Sequence, residues 1–227
     1  MSADTDVEGT PVRGSRVTGG QVADADFESV YRADPDPFRV GTSAYEQRKQ
    51  RIVLASLARE RYTSVWDAAS GTGHLARQLA RRSTRLLATD AAPTAVRLTK
   101  QLLLETSGQP DHHGAESRTA VLRLPAQPDG MFDLVVLAEV LYYLPDADRQ
   151  ATLAAASEVA APDAEVVVVH WRHHPHDAHV SGADATMEAV ASLIAMGWRP
   201  SCQHQDTDFV TAHLVRGELA VPRPVTA

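Results

Sequence analysis

Apolar residues fall along this chain in short continuous runs and in helical spacings, and from Thr63 onward the two kinds of segment alternate. A run over residues 64–68 leads into a small-residue turn, Ser70-Gly71-Thr72-Gly73, after which Leu75, Leu79 and Ala80 recur at helical spacing. A second run, 86–89, stops at Asp90, so the unit predicts strand, glycine turn, helix and strand, with an acid closing each strand, Asp67 and Asp90. Next comes a helix from Pro93 to about Thr106, with Val96, Leu98, Leu102 and Leu103 on its inner face. A third strand covers 119–122. The fourth, MFDLVVLA over 131–138, is almost unbroken apolar sequence, as expected where helices cover both faces of a sheet. The pattern continues with a helix from Asp146 to about Ala160 ending at Pro162-Asp163, a buried strand over 165–169, and a helix from Ser181 to Met196 that Gly197 stops. Strands over 198–205 and 209–216 are joined at Gln205 to Asp208. Upstream, Phe27, Val30 and Tyr31 predict a short helix broken by Pro35 and Pro37. Thr42-Ser43 is placed to cap a longer helix carrying Tyr45, Ile52, Val53, Leu54 and Leu57. The expected architecture is one doubly wound α/β domain of seven strands over residues 26–216, with its first two helices as a lid. Residues 1–25 and 217–227 read as tails.

Composition narrows the partner. With 227 residues and 44% hydrophobic content the chain can bury one substantial core. A formal charge of -7 opposes a nucleic acid backbone as ligand and leaves a neutral or cationic small molecule. Cys202 is the only cysteine, which excludes an internal disulfide, suits a reducing compartment and reads as buried filler rather than a nucleophile. The amino terminus lacks a signal-peptide core, and no uncharged apolar run reaches about 18 residues, so no membrane association is expected. The expected setting is cytoplasmic, as monomer or homodimer.

The glycine turn sets the ligand chemistry. Gly71 and Gly73 let the backbone bend and approach a ligand, the following helix end favours electron-rich groups, and Asp90, 23 residues beyond Asp67, is placed for two ribose hydroxyls. A dinucleotide fingerprint G-x-G-x-x-G would fall on Ala69, Gly71 and His74, and two of those three positions are wrong. The register that fits, D-x-A-x-G-x-G, resembles the first motif of class I S-adenosylmethionine (SAM) methyltransferases, with Ala69 where glycine is usual. That resemblance implies a Rossmann-like fold and a SAM site. It further implies that Asp67 faces the methionine amino group, that Ala69, Ser70, Gly71 and Gly73 form the turn, that Asp90 takes the ribose, and that Leu122 and Arg123 border the adenine.

Three stretches taken together, DPDPFRVGTSAYEQRK, DAASGTGHLARQLA and FDLVVLAEVLYYLPD, resemble the NodS-like family of these methyltransferases from about Asp36 to Arg216. The resemblance implies Phe38 and Lys49 in the lid over the cofactor and Ala138 beside it. Glu139 to Tyr143 then sit at the reactive end, and the reaction implied is N-methylation of a small amine such as an amino sugar. The family tends to have tryptophan at Phe38 and to begin its first motif with glutamate and glycine, where this chain has Asp67 and Ala69.

Proton acceptors for such an amine are Glu139, Tyr143 and His170, the last at the end of a strand facing the reaction edge. Five histidines lie between His170 and His179, but in an irregular loop without the spacing of a metal site, so no metal is expected and the loop reads as a cover over the substrate. His112 and His113 read as solvated loop residues. Open alternatives are O-methylation with His170 as essential base, a non-catalytic SAM-binding module, and a nicotinamide oxidoreductase.

Overall fold

The structure, a computed structural model, describes residues 26–107 and 115–217. His112, His113 and both predicted tails, apart from Gly217, lie outside the described residues. Seven strands form one sheet: β1 (Tyr62–Asp67), β2 (Ser83–Asp90), β3 (Glu116–Val121), β4 (Phe132–Ala138), β5 (Ala160–Trp171), β6 (Arg199–Gln205) and β7 (Phe209–Val215). Their order is β3-β2-β1-β4-β5-β7-β6. The first five run parallel, and β7 is antiparallel to both β5 and β6. The chain steps outward from β1 to β3, then crosses back to place β4 on the other side of β1. The crevice at that reversal, at the carboxyl ends of β1 and β4, is where such a sheet binds ligands.

The six helices are α1 (Phe27–Ala33), α2 (Ala44–Ser56), α3 (His74–Ala80), α4 (Pro93–Ser107), α5 (Asp146–Glu158) and α6 (Gly182–Ala195). They account for the unbroken apolar strands. In β4, Leu134 and Val136 pack in the layer containing Val53, Leu79 and Phe209, while Val135 and Leu137 pack in the layer containing Leu153, Leu193 and Trp198. Both faces are therefore dry, and all four side chains are fully buried.

The boundaries of β3 and β5 differ from expectation, each for a local reason. β3 lies earlier, at Glu116–Val121, because it is an edge strand with mostly exposed side chains, and its burial gives little hydrophobic signal. β5 begins at Ala160, so the predicted helix stops at Glu158 and Pro162-Asp163 lies inside a bulge. Phe132 pairs with Ala160 and Leu134 with Glu165, so one intervening residue on β4 faces four on β5. Ser43 occupies the cap position of α2 without a side-chain cap bond, whereas Ser181 caps α6 by accepting from the Asp184 amide at 3.1 Å. No helix is long and apolar enough to cross a membrane among the described residues.

Candidate active site

A cavity of about 730 Å³ opens at the carboxyl ends of β1, β2 and β4, roofed by α1, α2 and the segment between them. Asp67 ends β1 and is 1% exposed, and neither carboxylate oxygen has a hydrogen-bond partner among the described residues. Burial, and then the nearby Asp90, push its pKa up to about 7. Asp90 ends β2 and is held differently: Oδ2 accepts from the Gly71 amide and Oδ1 from the Ala92 amide, both at 2.9 Å. Burial raises its pKa, and those backbone bonds oppose the rise.

Gly71 and Gly73 both have positive φ, 54° and 84°, but they serve different ends. Gly71 lines the cavity, and a Cβ there would come 3.1 Å from the Tyr31 hydroxyl. Gly73 does not line the cavity. A Cβ there would meet Thr99 of α4 at 2.8 to 2.9 Å, so this glycine allows α3 and α4 to pack closely. The expectation that Gly73 approaches the ligand is corrected accordingly. Ala69, Ser70, Leu122, Arg123, Ala138, Phe38 and Lys49 all line the cavity.

At the other end stands Glu139, in the left-handed region with φ 53° immediately after β4. Its carboxylate accepts from the Trp171 amide at 2.9 and 3.0 Å and from the Tyr142 hydroxyl, and it pairs with Lys49 of α2. Lys49 also binds Glu46 at 2.8 Å and is only 5% exposed. Burial disfavours the charge on Glu139, but the Lys49 charge, with the Lys49 and Tyr142 hydrogen bonds, outweighs it and holds the pKa below the ordinary glutamate value. Burial, then the Asp177 and Glu139 charges, push the Tyr143 phenol up to about 12. Near neutral pH Glu139 is thus an ionised carboxylate and Tyr143 a protonated donor.

His170 does not reach the cavity. It is 0% exposed, and its Nε2 accepts from the Leu141 amide at 3.2 Å. Nδ1 lies 2.9 Å from the Thr186 hydroxyl, which itself donates to the Gly182 carbonyl, so Nδ1 carries the proton. Burial lowers the pKa to about 4. The expected general base is instead a neutral imidazole joining β5 to the turn after β4 and to α6. His170→Ala should retain activity per folded molecule within about tenfold, since loss of a general base costs about a hundredfold or more. Its folded pKa lies below the ordinary 6.5, so its contribution is present above 6.5 and lost as pH falls through 4. That is about 3 kcal/mol in the parent chain, and it should be absent from the variant in urea melts at several pH values.

Strand parity explains the error. Val166, Val168 and His170 share the face toward α6, whereas Val167, Val169 and Trp171 face the other way. It is Trp171, 37% exposed, that lines the cavity, with His174, His176 and Asp177 from the loop beyond it. His174 Nε2 lies 2.9 Å from the Ala178 carbonyl, which fixes the proton there and leaves Nδ1 as an acceptor. No trio of histidine, cysteine or acidic side chains that could hold a metal occurs among the described residues. Sequence reasoning missed Tyr31 and Glu46 as lining residues. It placed Tyr142 at the reactive end, but the hydrogen bond that Tyr142 donates to Glu139 came only with the structure.

The residues present fit the implied cofactor. The unpartnered Asp67 carboxylate suits an α-ammonium group, since a buried anion without a partner gains most from a cation. Asp90, with three backbone amides against about four acceptor sites, keeps capacity for a ribose hydroxyl. Leu122, Arg123 and Leu124 form the wall beyond β3 where a purine edge would lie.

Comparison with known proteins gives concordant results. Residues 65–163 match the family model described as "Methyltransferase domain". Nodulation protein S of Sinorhizobium fredii is 33% identical over 115 residues, 50% of each chain, so the chain spans about half the length of that relative. Nodulation protein S of Rhizobium tropici is 26% identical over 188 residues, 81% of this chain and 76% of that one. The solved structure of N-methyltransferase NodS from Bradyrhizobium japonicum with S-adenosyl-L-homocysteine superposes with a TM-score of 0.68 at 21% identity, covering 85% of this chain and 98% of that one.

Proposed function

We propose that this chain is a NodS-like class I SAM-dependent methyltransferase that moves a methyl group onto the amine of a small molecule, a reading supported by the matched methyltransferase domain and by its similarity to nodulation protein S. SAM supplies a methyl group bound to a sulfonium, poised for in-line displacement, so the protein mainly aligns the acceptor and excludes water. The observation that carries the cofactor end is the buried, unpartnered carboxylate of Asp67 opening into the same cavity as Asp90. Gly71, Leu122 and Arg123 shape the nucleoside end, and Phe38 of the roof closes over it, its ring 6.2 Å from Tyr31.

At the acceptor end, Glu139, Asp148 and Asp177 face the cavity and draw in a cationic ammonium. The nucleophile must be the neutral amine, and Nδ1 of His174 is the nitrogen left free to take its proton. Tyr143, protonated, donates a hydrogen bond that orients the acceptor, and Trp171 offers a flat apolar wall. Amines are favoured over hydroxyls because the acids that line this end, Glu139, Asp148 and Asp177, attract a cationic ammonium and give a neutral hydroxyl no such advantage.

Isotope-labelled SAM incubated with panels of amines and alcohols, amino sugars foremost, tests this reading by mass spectrometry. Label is expected on amine nitrogen. Label on oxygen alone, or on no acceptor at saturating SAM, would overturn it in favour of O-methylation or a non-catalytic module.

A further inference from the structure

A second, smaller cavity of about 350 Å³ lies between α2 and α3. Its walls are Gln47, Gln50 and Arg51 of α2, His74, Arg77 and Gln78 of α3, and Val40, Gly41 and Leu54. Among the described residues no carboxylate lines it, in a chain whose formal charge is -7. Arg77 forms one wall of it, and the guanidinium fork is the side chain best suited to hold an oxyanion. Across the gap the Arg51 guanidinium donates, among the described residues, to the Gln47 amide oxygen at the long distance of 3.4 Å, which leaves most of its donors for a ligand.

The gap is preformed rather than incidental. Gly41 lies so close to the His74 ring that a Cβ there would stand 2.4 Å from it, so the Val40-Gly41 backbone packs directly on the imidazole. The Gln50 amide nitrogen reaches the Val40 carbonyl at 3.4 Å. Burial, then the charge of Arg77, lowers the His74 pKa, while Asp36 on its other side opposes this. The positive potential of the gap is therefore felt by its own wall.

We propose that this gap binds a small oxyanion, of the phosphate or carboxylate class, held by Arg77 and Arg51 with the glutamine amides as further donors. An oxyanion there ties the roof helix α2 to α3. Val40, Gln50 and His74 line both this gap and the main cavity, so the anion braces the roof in its closed position.

Inorganic phosphate is the probe. Against chloride matched for ionic strength, phosphate should raise the melting temperature of the full chain saturably, by about 2 to 4 °C. Titration calorimetry should show one site, and the dissociation constant for SAM should fall when phosphate is present, since both ligands favour the same closed roof. Arg77→Met should weaken phosphate binding by at least about tenfold. Arg51→Gln alters an exposed residue whose loss leaves the core intact, and it should weaken binding in the same direction. A melting shift no larger than the chloride control, or one unchanged in both variants, overturns the proposal. So does phosphate competing with SAM, because the gap would then belong to the main cavity's own ligand.

Discussion

Asp67→Asn is expected to bind SAM at least about a hundredfold more weakly than the parent chain, yet to melt at a higher temperature when no cofactor is present. The carboxylate is buried without a partner, so an arriving ammonium forms a desolvated ion pair. Removing one member of such a pair costs about 3 to 5 kcal/mol, which corresponds to a factor of a hundred or more in affinity. The stability effect has the opposite sign. In the folded chain the group ionises near 7 rather than at the ordinary 3.8, so its contribution is most favourable below 3.8 and is lost as pH rises through 7. The full loss is on the order of 4 kcal/mol. Asparagine carries no charge to bury, so its advantage should be absent at pH 3.5 and reach a plateau above pH 7. Calorimetry with SAM and thermal melts at pH 5 and 8 read the two effects separately. Undiminished affinity in the variant would make Asp67 a structural residue, and lower melting at both pH values would remove the buried-anion argument.

Lys49→Met should destabilise the fold by about 3 to 5 kcal/mol, because it strands Glu46 and Glu139 together without the cation between them. For a chain of this size that is a fall of roughly 6 to 20 °C in melting temperature. The parent pair holds the Glu139 pKa below its ordinary value, so its benefit is present above 4.5 and fades as pH falls through the folded value. The deficit of the variant should therefore be largest at neutral pH and shrink toward pH 4. Adding Glu139→Gln should restore part of the loss, since the stranded charge goes with it. A double variant no more stable than Lys49→Met alone would show that α2 is held by packing and not by this charge pair.

Much of the architecture was legible because burial on both sheet faces makes strands continuous in sequence. Leu134 to Leu137 needed no partner information to be read as a core strand, and the spacing of Gly71 and Gly73 marked the turn before α3. β3 was less legible because an edge strand buries little of either face, and the start of β5 because a bulge hides in what reads as a proline turn. The site divides in the same way. Asp67, Asp90 and Glu139 were found because each ends an apolar run, and a strand end delivers its side chain to the sheet edge whatever surrounds it.

Which groups at that edge meet one another was decided by tertiary structure. A shift of one residue along a strand turns a side chain to the opposite face, so the choice between His170 and Trp171 depended on the layer that each face of β5 meets. The partnership of Lys49 with Glu139 spans ninety positions of sequence, and the isolation of Asp67 is a property of everything that fails to approach it. Local pattern, set by periodicity and backbone preference, determined the fold and the positions of the acids. Protonation state and role, set by desolvation and by long-range neighbours, came only with the packed chain.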